Sequence, residues 1–139
     1  MPALDTNVLV RYLVQDDMAQ FAAAKRLIDG CLSEGLPLFV PVTVVLELEW
    51  VLRSRFGFAK GDILQALSSL FSATELRLES ERALEVALQL LRESQADFAD
   101  CLHIALAAQA GEQPLWTFDK SAAKVSGAQL LSKARTGGG

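Results

Sequence analysis

The chain has 139 residues, of which 17 are acidic and 13 basic, giving a net charge of −4, and 51% are hydrophobic. That length favours one domain, and the apolar content excludes disorder for the body of the chain. The acidic balance excludes a duplex binder that works through a basic surface, but it leaves room for a metal-centred nuclease, because a divalent ion offsets clustered carboxylates and itself attracts phosphate.

In chain order, Pro2-Ala3-Leu4 is a very short apolar run that ends at Asp5, and the residues from Val8 to Val14 carry a short helix. Asp16 or Asp17 supplies a cap for the next helix, where Phe21, Ala24, Ile28 and Cys31 recur at helical spacing as one buried stripe. Gly35 ends it. Leu38-Phe39-Val40 reads as a strand closed by Pro41, and Thr43 is the expected N-cap of a helix through Val44, Leu48, Val51 and Leu52 that stops near Gly57. The next helix places Ile63, Leu67, Leu70 and Phe71 on one face. Leu76-Arg77-Leu78 alternates as a strand does, and Ser80 is expected to cap a helix with Leu84, Ala87, Leu88 and Leu91 inward. Phe98 to Ala110 is apolar on nearly every side, the pattern of a helix buried on more than one face. After Gly111, Pro114 to Phe118 reads as a strand ending at Asp119, residues 120–125 as a helix, and Gln129-Leu130-Leu131 as a last strand.

Short apolar strands alternating with helices imply an α/β fold, a three-layer α/β/α arrangement around a short parallel central sheet. One domain is expected over residues 1–135, with a flexible tail at 136–139. Cys31 and Cys101 show no CxxC spacing and read as small buried apolar residues. No secretory leader is evident, and the longest nearly apolar stretch, Leu36 to Leu46, holds two prolines and is too short to span a bilayer. A cytoplasmic location is expected.

In open parallel sheets, ligands collect beyond the carboxyl ends of the strands, where Asp5 and Asp119 are expected. Most of the acids, among them Glu79, Glu81, Glu85 and Glu93, read as solvated helix decoration. Four others stand in apolar surroundings: Asp5, Glu47, Asp100 and Asp119. Burying an unpartnered carboxylate shifts its pKa by about 3–5 units, so four placed together require a cation. An oxygen-only set suits Mg²⁺ or Mn²⁺. With one histidine and no paired cysteines, zinc is poorly served. His103 reads as a packed or half-exposed residue, one turn from Asp100. Asp97 is expected to cap the helix that carries Asp100, with sharing of the metal by Asp97 as the alternative.

The segments Asp5-Thr6-Asn7-Val8-Leu9, Glu47 with Trp50-Val51-Leu52, Asp97-Phe98-Ala99-Asp100-Cys101-Leu102 and Thr117-Phe118-Asp119 resemble the four acidic motifs of PIN-domain nucleases. Their order and spacing are most similar to those of VapC-type toxins of toxin–antitoxin pairs. The resemblance implies a Rossmann-like fold and a Mg²⁺- or Mn²⁺-dependent endoribonuclease. It further implies a homodimer and a small antitoxin partner. It makes Asp5, Glu47, Asp100 and Asp119 the metal-centred acids, with Asn7 and Thr117 hydrogen-bonding within the site. Arg53 and Arg55 are candidates for RNA or partner contact, although a solvated helix end explains them equally well. Two rivals remain: a small-molecule phosphohydrolase with Asp5 as nucleophile, disfavoured by Asn7 two positions later, and a catalytically silent PIN-like subunit that only binds partners.

Overall fold

The computed structural model describes residues 1–132, so the tail expected at 136–139 and residues 133–135 lie outside the described residues. The chain forms two compact units, Met1–Glu85 and Val86 onward.

The first unit holds α1 (Thr6–Val14), α2 (Met18–Ser33), β1 (Leu38–Val40), α3 (Val42–Ser54), α4 (Lys60–Ser72) and β2 (Leu76–Leu78). Strands β1 and β2 pair in parallel, Leu38 opposite Leu76 and Val40 opposite Leu78. A parallel pair needs a crossover connection, which α3 and α4 provide. The run Pro2-Ala3-Leu4 contributes one parallel bridge, Ala3 to Phe39. The Leu4 N–H donates to the Phe39 carbonyl at 2.9 Å, and the Phe39 N–H to the Pro2 carbonyl at 2.8 Å. These bonds fix the start of the chain beside β1 and so place Asp5.

The amphipathic stripes bury as their spacing anticipates. Ala24, Ile28 and Cys31 are buried on α2, and Ile63, Leu67 and Leu70 on α4. Phe21 and Phe71 stay half-buried; Phe21 stacks on Tyr12 of α1 with ring centroids 6.0 Å apart. Asp17, not Asp16, caps α2, accepting the Gln20 N–H at 3.0 Å. Asp16 takes the Arg11 guanidinium at 2.8 Å instead.

The expected cap of α3 is corrected. Pro41 occupies the N-cap and makes no side-chain cap bond, so the helix begins at Val42, one residue before Thr43. The exposed Val42 N–H is satisfied by Glu79 Oε1 at 2.8 Å. Proline presets the φ for helix entry, and a distant carboxylate takes the cap role that Thr43 does not.

Helix α5 (Glu81–Glu93) contains the boundary between the units. It follows Ser80, whose φ of 55° is left-handed, and it buries Leu84, Ala87, Leu88 and Leu91. The second unit continues with α6 (Phe98–Gln109), β3 (Leu115–Thr117), α7 (Lys120–Ala123) and β4 (Ala128–Leu130). Strands β3 and β4 pair in parallel, Leu115 opposite Ala128 and Thr117 opposite Leu130. Both are shorter or shifted by about one residue relative to the sequence reading, a difference of the size usual at element ends. On α6, Phe98, Cys101, Leu102, Ile104 and Ala105 are all buried. Both cysteines are buried, as expected. Among the described residues no helix is long and apolar enough to cross a membrane.

Candidate active site

Three of the singled-out acids are placed by one local device, the helix N-cap. Asp5 is the N-cap of α1, and its carboxylate accepts the Thr6 N–H at 2.7 Å. Asp97 caps α6, accepting the Asp100 N–H at 2.9 Å. Asp119 caps α7, accepting the Ala122 N–H at 2.9 Å. Asp is favoured at such positions because its oxygen satisfies an orphan backbone donor. The Thr117 hydroxyl oxygen in turn accepts the Asp119 N–H at 3.0 Å, which holds the backbone that presents this carboxylate.

Helix ends lie at the surface, and this corrects the expectation that the four acids stand in apolar surroundings. Asp5, Glu47 and Asp119 are exposed, and Asp100 is half-buried. Beside Asp5, Glu47 and Asp100 the apolar neighbours Leu4, Leu48 and Cys101 turn inward, whereas Phe118 beside Asp119 is itself exposed. The one buried acid among the described residues is Glu49, only 4% exposed. It is ion-paired with Arg53, Nε to Oε2, at 2.8 Å. Arg53 is therefore committed to a structural pair, which weakens its candidacy for RNA contact.

In the first unit, a cavity of about 350 Å³ is lined by Asp5, Thr6, Asn7, Glu47, Trp50 and Arg55, among others. Glu47 reaches it from α3, and Thr6, itself buried, donates its hydroxyl to Glu47 Oε1. This bond ties the start of α1 to the middle of α3. Sequence reasoning missed Thr6; the available signal was a hydroxyl residue directly after a capping acid.

In the second unit, Asp100 stands one turn into α6. Burial, the Asp97 charge and hydrogen bond, and the Asp119 charge, in that order, push its carboxyl above the ordinary 3.8, against a smaller opposing effect of His103. His103 itself is exposed. Asp97 and Asp119 thus place negative charge beside Asp100, which His103 offsets only in part.

Among the described residues neither unit by itself gathers three His, Cys, Asp or Glu side chains close enough to hold a metal ion. The donors are nonetheless of one chemical kind. In the first unit they are the carboxylates of Asp5 and Glu47 and the amide of Asn7. In the second they are carboxylates under mutual repulsion. Oxygen ligands with excess negative charge fit a hard divalent cation, so the residues present suit such an ion.

Residues 3–128 match the PIN domain family model. The chain belongs to the PIN domain family. It is also similar to a protein named VapC ribonuclease from Aquifex aeolicus (strain VF5), with 24% identity over 125 residues, covering 90% of this chain and 92% of that one. The mixed α/β class with short parallel strands accords with family membership. Each segment that suggested the family lies within the matched residues, from Asp5 to Asp119.

Proposed function

We propose that this PIN domain is a divalent-metal-dependent endoribonuclease, the toxin of a toxin–antitoxin pair, with Asp5, Glu47, Asp100 and Asp119 as its metal-holding acids. The observation that carries the reading is the kind and placement of the acids. Asp5 and Glu47 share a cavity wall in one unit. In the other, Asp100 is repelled by Asp97 and Asp119 and is pushed toward its neutral form. A divalent cation bound by such acids supplies Lewis-acid polarisation of a phosphate and a more acidic water. Similarity to a VapC ribonuclease supports RNA as the substrate.

The chain's own residues prepare this chemistry in three ways. Thr6 holds Glu47 in one rotamer, Thr117 holds the backbone at Asp119, and Asp97 spends an oxygen on the cap of α6. Asp97 is therefore an accessory group, and Asp100 carries the metal. Asn7, on the same cavity wall as Asp5, adds an amide oxygen beside the acids. Large apolar side chains open to solvent on α2, Leu27 and Leu32, support a homodimer and a docked antitoxin. The site of action is the cytoplasm.

The test is RNA cleavage with added Mg²⁺ or Mn²⁺, with EDTA, and with the folded Asp5→Asn protein. Cleavage to 5′-phosphate and 3′-hydroxyl ends is expected only with metal and intact Asp5. Expression without a partner is expected to arrest growth, and Asp5→Asn to relieve the arrest. Full cleavage by chelated protein sinks the metal reading. Equal toxicity of Asp5→Asn sinks the catalytic one.

A further inference from the structure

The cavity beside Asp5 and Glu47 holds two groups that a metal site alone does not call for, Trp50 and Arg55. On α3, Glu47 and Trp50 are three residues apart and so share a face, while Leu48, Glu49 and Leu52 are buried. Trp50 is 54% exposed. Trp50 lines the cavity and keeps about half of its surface open to solvent, which leaves indole surface for a flat ligand.

The arginines of α1 and of the end of α3 divide sharply. Arg11 is held by both oxygens of Asp16, at 2.8 Å each, and by Gln20 at 2.6 Å. Arg53 is held by Glu49. Arg55, the C-cap residue of α3, forms no ion pair with any described residue. A guanidinium at a helix C-terminus is favoured by the helix dipole, and its planar fork suits a phosphate. A cavity of about 350 Å³ is at the small end of ligand-sized pockets, roughly 300–1,000 Å³.

The geometry points to a nucleotide subsite in which one base of single-stranded RNA stacks on Trp50 and the adjoining phosphate takes Arg55, beside the acids that perform cleavage. An indole face and a free guanidinium are the pair that single-stranded nucleic acid requires, since every base has a π-face and every residue a phosphate. An acidic peptide satisfies Arg55 but gives the exposed indole no flat partner, so RNA is the occupant. The subsite deepens the ribonuclease reading and rests on it for the identity of the ligand.

The test measures binding and cleavage separately. Binding of a labelled eight-nucleotide single-stranded RNA is followed by anisotropy in the Asp100→Asn background with Mg²⁺, so that the strand stays uncut. Trp50→Ala is expected to weaken binding about tenfold, Trp50→Phe to stay within about threefold, and Arg55→Gln to weaken it and lower the salt slope by about one. An abasic strand of equal length is expected to bind weakly and to be indifferent to Trp50→Ala. In the otherwise unaltered enzyme, Trp50→Ala is expected to raise KM more than it lowers kcat. Trp50→Ala protein that binds the natural strand normally overturns the subsite, as does an equal loss on natural and abasic strands. So does a loss confined to protein-partner binding. RNA cleavage with a Trp50-independent KM sinks the subsite and leaves the ribonuclease reading. Trp50-dependent binding without cleavage sinks the ribonuclease reading and leaves the subsite.

Discussion

At the N-terminus of α6 two carboxylates stand three residues apart, and replacing each removes a different thing. Asp97 supplies the cap, so Asp97→Ala is expected to cost about 0.5–2 kcal/mol in urea denaturation, while Asp97→Asn, a good cap itself, costs a few tenths. Asp100→Asn is expected to remove most RNA cleavage, about a hundredfold or more, and Asp97→Asn to leave the greater part of it. If Asp97→Asn proves the more damaging to cleavage, the roles are reversed. Asp100 also carries a pH signature. Its pKa in the folded protein lies above the ordinary 3.8, chiefly through burial and the Asp97 charge, so the folded form holds the proton more tightly than the unfolded one. The stability this supplies is full below the ordinary value and is lost as pH rises through the raised value. In EDTA at pH 7, Asp100→Asn is therefore expected to melt above the unaltered protein, the difference closing toward pH 4. A lower midpoint for Asp100→Asn at pH 7 shows that the helix dipole, which favours an acid in the first turn, outweighs burial and repulsion.

At the scale of the element, α3 carries Glu47 and Trp50, and two contacts outside its apolar stripe hold it. Glu79, the residue after β2, caps its first turn. Glu79→Ala is expected to cost about 1 kcal/mol, as cap losses do, whereas Glu85→Ala on the exposed face of α5 stays within about 0.5 kcal/mol. Equal effects in denaturant titrations mean that the Glu79 bond contributes nothing. One turn past Glu49, Arg53 neutralises a buried carboxylate. Arg53→Ala is expected to cost about 2 kcal/mol, the scale of a hydrogen bond to a charged group. The joint Glu49→Leu and Arg53→Ala change costs less, because no buried charge is left behind. A double variant weaker than the single one removes that account. The helix is thus more than a ladder of apolar contacts; Glu79 ties its first turn to the end of β2, and Arg53 compensates its one buried charge.

At the scale of the whole molecule, the exposed apolar side chains of α2, Leu27 and Leu32, are expected to be covered by a second copy or by the proposed antitoxin. Sedimentation at micromolar concentration is expected to give twice the 15.0 kDa of one chain, and a monomer mass contradicts the homodimer. The sequence by itself determined the class of fold, the helical stripes, the cap at Asp97, and the acids from which the family could be read. Those features rest on short-range rules, in which helical spacing and cap chemistry act within about one turn. Only the tertiary structure decided that Glu79 and not Thr43 caps α3, that Thr6 holds Glu47, and that Trp50 and Arg55 open onto the cavity of Asp5. It also decided that Glu49, not Glu47, is the buried acid. Helix α3 is apolar around most of its circumference, so periodicity alone does not say which of two glutamates two residues apart turns inward. The Thr6–Glu47 and Val42–Glu79 bonds join residues 41 and 37 positions apart, and such pairings exist only once parallel strands and their crossovers have brought distant segments side by side.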